Sequence, residues 1–166
     1  GMHLRRNTRL NCYNSVVAGW PIGLILDSEK GNTQKAATDG LLQLHRIVFA
    51  GTDLTGSDFN KVYKDELYDY KTKTTDPSKK SFSSTFFLLP ANGNKVVDQW
   101  VARSWQGIQS IIAASTSVGG ALQGSFAELQ SNNWFDKSAT FVGAFRDASD
   151  DWTAGWANFD PENTIY

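Results

Sequence analysis

The chain has 166 residues, 40% of them hydrophobic and 20% charged, with a formal net charge of −1. Those figures describe one globular domain with a real core, too short for two comfortable ones, and they exclude a disordered chain. They also remove the electrostatic case for a nucleic-acid or anionic-membrane partner.

Taken from the N-terminus, Gly1 before Met2 reads as the scar of a cleaved tag. Leu4–Leu10 (LRRNTRL) then runs as a strand-like segment straight into Leu10–Gly19 (LNCYNSVVAG), which returns 32 positions later as Leu42–Gly51 (LQLHRIVFAG). Val16 repeats as Val48, Ala18 as Ala50 and Gly19 as Gly51. A self-similarity of that period points to stacked units, each covering the apolar edge of the next, so Val16 is expected beside Val48 in parallel strands. Strands are predicted near Arg9–Val17, Ile22–Asp27 and Leu41–Ala50, with the polar stretch Ser28–Gly40 as a projecting loop. Cys12 is the lone cysteine and sits in a predicted strand as a small core residue, so no disulfide forms within the chain.

Beyond residue 51 the pattern changes. Phe59, Val62, Leu67 and Tyr70 fall at helical spacing behind a cap at Ser57 or Asp58, which predicts a helix over 58–70. Lys71–Lys80 reads as a polar loop and residues 82–91 (FSSTFFLLPA) as a short buried strand. Val96, Trp100, Val101, Trp105, Ile108 and Ile112 predict an amphipathic helix over 95–112, followed by a small-residue loop over 115–124. In the tail, Phe141–Phe145 (FVGAF) reads as a strand, and Trp152 and Trp156 lie one helical turn apart.

Three segments carry a resemblance: His3–Asp27, with LRRNTR and NSVVAGWPIGLILD; the Leu42–Gly51 repeat; and Phe141–Tyr166, with GAF…DWTAGW.NFDP. Together they resemble the C-terminal part of large surface or lipid-anchored proteins of Bacteroidetes, right-handed parallel β-helix proteins without an assigned activity. The likeness covers about half of the chain and weakens between residues 52 and 133. It implies placement at the cell surface or outer membrane of a parent protein and transfers no catalytic residue. In such relatives further coils precede LRRNTR, so this chain is expected to open in mid-fold.

Chemistry-bearing patterns are few. Gly119–Gly124 (GGALQG) has glycines without the Lys-Ser/Thr ending of a phosphate loop. His3, Cys12 and His45 lack metal-ligand spacing, so no metal and no cofactor are expected. Asp147, Asp150, Asp151, Asp160 and Glu162 form an acidic group that could hold Ca²⁺ or supply a hydrolytic pair, but they read first as solvated turns. Arg5, Arg6 and Arg9 would be the basic groups of a lyase and read first as solvated charges. The aromatic residues are the best functional signal, because flat rings beside polar groups suit sugar faces. The candidate ligand-binding residues are therefore Trp100, Trp105, Trp152 and Trp156, with at least one of the last two expected to be buried against Phe141 or Phe145.

The expected fold is mainly β with helical segments: the truncated C-terminal end of a right-handed parallel β-helix over residues 4–51, a helical and loop region over 52–133 and an aromatic cap over 134–166. The expected function is non-enzymatic, a structural or adhesive surface module with a glycan as ligand. The alternative is a polysaccharide-active lyase or hydrolase whose site lies partly in upstream coils. No segment is apolar enough to span a membrane. The N-terminal face is expected to be an unfinished edge that recruits a second copy into a weak homodimer.

Overall fold

The computed structural model describes residues 1–20, 23–28, 30–51, 68–69, 74–75, 81–98, 108–159 and 161–164. It is a mixed α/β arrangement of short strands in parallel sheets with a few helices. Among the described residues no closed barrel or complete solenoid forms. The strands are β1 (Met2–Leu4), β2 (Asn11–Tyr13), β3 (Val16–Ala18), β4 (Leu24–Leu26), β5 (Gln43–His45), β6 (Val48–Ala50), β7 (Tyr68–Asp69), β8 (Thr74–Thr75) and β9 (Lys95–Val97). The helices are α1 (Thr33–Thr38), α2 (Phe82–Phe87) and α3 (Ile108–Gly119).

Four parallel pairings set the frame: β1 on β4, β2 on β5, β3 on β6, and β6 on β9. The repeat read from the sequence is real in space, with Val16 paired to Val48 and Ala18 to Ala50. The long strands predicted over 9–17 and 41–50 are each two strands meeting at a corner. Asn14 and Arg46 occupy those corners with φ of 47° and 54°. Left-handed backbone is costly for a side chain with Cβ, so each must be held by its surroundings. Gly93, two residues before Lys95 as Arg46 is two before Val48, has φ 61°. Three chain levels thus turn at one left-handed column, Asn14–Arg46–Gly93.

The core sits between these layers. Leu24, Leu26, Leu42, Leu44, Ile47, Phe49 and Phe87 are essentially fully buried and cluster together, with the Phe49 and Phe87 rings 4.5 Å apart. The second layer is drier than the first: Val48, Phe49 and Ala50 are buried, whereas Val16, Val17 and Ala18 are half-buried.

Several expectations change. The loop over 28–40 contains α1, whose Ala36 and Ala37 join the core. The strand predicted over 82–91 is α2 plus a 3-10 turn at Pro90–Asn92. Ser81 caps α2 by accepting from Ser84 N at 3.0 Å, and Phe82 stacks on Phe86 one turn later, so local capping overrides an apolar run that could also be extended. The helix predicted over 95–112 is strand β9 at its start, because the β6 edge takes Lys95–Val97 into register. Residues 99–107 of that prediction lie outside the described residues, and helix is described over Ile108–Gly119, reaching into the segment read as loop. Of the helix predicted over 58–70, residues 68–69 pair antiparallel with 74–75, within the stretch read as a polar loop, and the rest lies outside the described residues. Strand β1 is Met2–Leu4, and the stretch read as a strand-like edge over 4–10 is instead a turn, with Arg6 and Asn7 both at positive φ. Phe141–Phe145 is a bent segment with Gly143 at φ 101°, and its Gly143 N donates to Asn14 O at 2.8 Å.

Candidate functional site: an aromatic surface beside a small groove

The segment that carries the candidate site is fastened to the strand corners by polar contacts. The Asn14 side-chain oxygen accepts from Ser125 N at 3.0 Å and from Arg46 Nε at 3.0 Å. Arg46 holds Glu128 with both terminal nitrogens, at 2.8 and 2.5 Å. That guanidinium fork holds the Glu128 carboxyl below the usual carboxylate range, which makes it a poor proton donor near neutral pH. The Tyr13 and His45 rings stack at 5.6 Å, and Tyr13 donates to the Gln43 side-chain oxygen. Burial pushes His45 down, only partly offset by Glu128, whose oxygen lies 3.5 Å from His45 Nδ1 without forming a hydrogen bond. Burial pushes the Tyr13 hydroxyl up. We read this network as a clasp between layers and tail.

The glycines of GGALQG have a packing role. A Cβ on Gly119 would lie 2.0 Å from Val142 O, and one on Gly124 would lie 2.4 Å from Phe141 O. The end of α3 can therefore sit directly on the 141–143 backbone. Between the two lies an open groove of about 200 Å³ lined by Thr116, Leu122, Thr140, Val142, Phe145 and Arg146, among others.

Phe145 is buried beneath this groove and its ring lies 6.1 Å from that of Trp152, which in turn is 5.6 Å from Trp156 at 33°. The two indoles are brought together as expected, but the burial expected of them is not found: Trp152 is 54% and Trp156 69% exposed. The reason lies in their N–H groups. Trp152 Nε1 donates to Ala144 O at 2.8 Å and Trp156 Nε1 to Trp152 O at 3.0 Å, so each ring is held at the surface by its polar edge, with Trp152 placed between Phe145 and Trp156. Trp100 and Trp105 lie outside the described residues.

Three Asp-x-Ser/Thr turns shape this surface. Asp136, Asp147 and Asp151 each accept from the hydroxyl two residues on, at 2.6 Å in every case, and from the backbone N–H of that same residue. Those bonds hold Asp136 and Asp147 below the ordinary carboxylate range. Asp150 accepts from Arg146 N at 2.8 Å. Asp147, Asp150 and Asp151 of the acidic group are thus turn-forming side chains, Asp160 lies outside the described residues, and among the described residues no cluster of His, Cys, Asp or Glu is arranged to hold a metal ion. Of the basic and imidazole candidates, His3 pairs with buried Asp27 at 2.9 Å, and His45 belongs to the clasp.

The sequence reading named Phe145 as a partner of the indoles but missed Arg146 and the groove, and it missed the Arg46–Glu128 pair. The thrice-repeated Asp-x-Ser/Thr pattern was the available signal for a tail of tight turns with side chains displayed outward. Among the described residues no helix is long and apolar enough to cross a membrane. The chain matches no protein-family model, no curated protein and no solved structure.

Proposed function

We propose that the protein is a non-catalytic surface module, built on the end of a right-handed parallel β-helix, whose Trp152–Trp156 face binds a glycan. The observation that carries this reading is the pair of adjacent indoles, fixed through their own N–H groups and yet more than half exposed. A preorganised ring loses little side-chain freedom when a sugar face stacks on it, which is how an exposed aromatic surface gains affinity. The β-helix part of the proposal rests on the in-register parallel pairings and the left-handed column at Asn14, Arg46 and Gly93. Placement at the cell surface or outer membrane follows the sequence resemblance.

Trp152→Ala and Trp156→Ala should each weaken binding of neutral β-linked oligosaccharides about tenfold, a change of about 1.4 kcal/mol. Both should keep the wild-type circular dichroism spectrum, and calorimetric titration reads the affinity. Wild-type protein that binds no oligosaccharide across a glycan array would sink the reading.

We also propose a weak self-association through the first layer. Among the described residues β1, β2 and β3 pair on one side only, while the opposite edge is closed by side chains: Ser83 Oγ accepts from Leu26 N at 2.8 Å and Asn94 Nδ2 donates to Leu44 O at 2.9 Å. An unpaired edge recruits a second strand, and Arg5, Arg6 and Arg9 near it oppose their own copies. Light scattering should therefore show a mass that rises with concentration and with salt. A strictly monomeric protein at all salts would overturn it.

A further inference from the structure

We infer that the groove and the two indoles form one continuous site, and that its ligand is a neutral oligosaccharide ending in a single uronic acid whose carboxylate pairs with Arg146. The inference rests on the glycan reading and adds the ligand class. Continuity comes from Phe145, which lines the groove from below and touches Trp152, whose ring leads on to Trp156. At about 200 Å³ the groove is smaller than the roughly 300–1,000 Å³ of pockets that enclose a drug-sized ligand, so it suits one sugar ring and not a chain.

The charge pattern selects the ligand. Arg146 is the ionisable residue of the groove lining, and its guanidinium lies over the Phe141 ring at 5.9 Å. Among the described residues that guanidinium makes no ion pair within 4.0 Å. Its fixed fork of donors matches a carboxylate in two-point contact. Thr116 and Thr140 add hydroxyl oxygens to the same walls, and Leu122 and Val142 add an apolar floor for a sugar face. The chain around the indoles has the opposite sign, with Asp147, Asp150 and Asp151 in the five residues before Trp152. A polyuronate laid along the whole site would bring carboxylates against these three. Asp147 feels the Arg146 charge and Asp150 takes its backbone N–H, so a single carboxylate on Arg146 meets the least like-charge repulsion.

The test titrates the full chain at neutral pH with three probes: a neutral xylo-oligosaccharide, the same oligomer carrying one terminal glucuronic acid, and polygalacturonate. The mono-acidic oligomer should bind about tenfold more tightly than the neutral one and more tightly than polygalacturonate. Arg146→Gln should erase that advantage, so that the two oligomers bind alike, and added salt should shrink it. Trp156→Ala should weaken both oligomers alike. Equal binding of the two oligomers, both lost in Trp156→Ala, would overturn the inference and leave the glycan reading standing. Tightest binding of polygalacturonate would overturn it as well. Binding of none of the three would remove both.

Discussion

At the scale of single residues, the corner side chains show how a strained backbone is held in place. Asn14 is 8% exposed, has φ 47° and ties together Arg46, Ser125 and, through its carbonyl, Gly143. Two effects are separable there. Asn14→Gly removes the side-chain bonds but suits the backbone. Asn14→Ala removes the same bonds and adds a left-handed penalty of about 1–2 kcal/mol. With two part-buried donors, Arg46 Nε and Ser125 N, left without that acceptor at up to about 1–3 kcal/mol each, both variants should be destabilised in urea denaturation, and alanine should be the worse of the two. The clasp also sets a pH dependence. His45 is depressed by burial, so its contribution is complete above the ordinary value of 6.5 and is lost as pH falls through the lower native value. Glu128 is depressed by Arg46, so its contribution is present above 4.5 and is lost as pH falls below that. Stability should therefore decline in two stages on the acid side. His45→Gln should remove the first stage and keep the second, as measured by melting temperature between pH 7 and 3.

At the scale of elements, side chains stand in for missing strands. Helix α2 lies along β4, and Ser83, fully buried, accepts from Leu26 N where a further strand would have supplied a carbonyl. Ser83→Ala should orphan that amide and lower stability by about 1–3 kcal/mol. Hydrogen exchange at the Leu26 amide should rise more than at Leu44, and an unchanged Leu26 rate would show that the bond has no weight. This substitution explains why residues 82–91 misled the sequence reading. An apolar run with serines is compatible with a strand or a short helix, and the Ser81 cap together with the partner across the fold, the β4 amide, decides between them. The same holds for Lys95–Val97, where helical spacing is overridden by the open edge of β6.

At the scale of the whole molecule, legibility follows from how regular the spacing is. β2 and β3 lie 32 residues from β5 and β6, so a fixed-period comparison finds them, and it found the pairing of Val16 with Val48. Met2 pairs with Leu24 at an offset of 22, and Val48 with Lys95 at 47, and no single period reveals either. The aromatic tail was legible as a candidate surface because Trp152 and Trp156 stand together in sequence. Their exposure was not, because it depends on two indole N–H bonds to backbone carbonyls that no composition signals.

Offsets of 22, 32 and 47 carry one further meaning. The excursions between rungs differ greatly in length, yet the rungs keep their register, because the Asn14–Arg46–Gly93 column resets the chain direction at each level. Closing a longer flexible loop adds only about 0.6 kcal/mol per doubling of its length. Such a scaffold tolerates insertion without relearning how to fold. New sequence grafted between β6 and β9 outside α2, whose Ser83 and Phe87 belong to the core, is carried as freight, leaving the column free to stay constant.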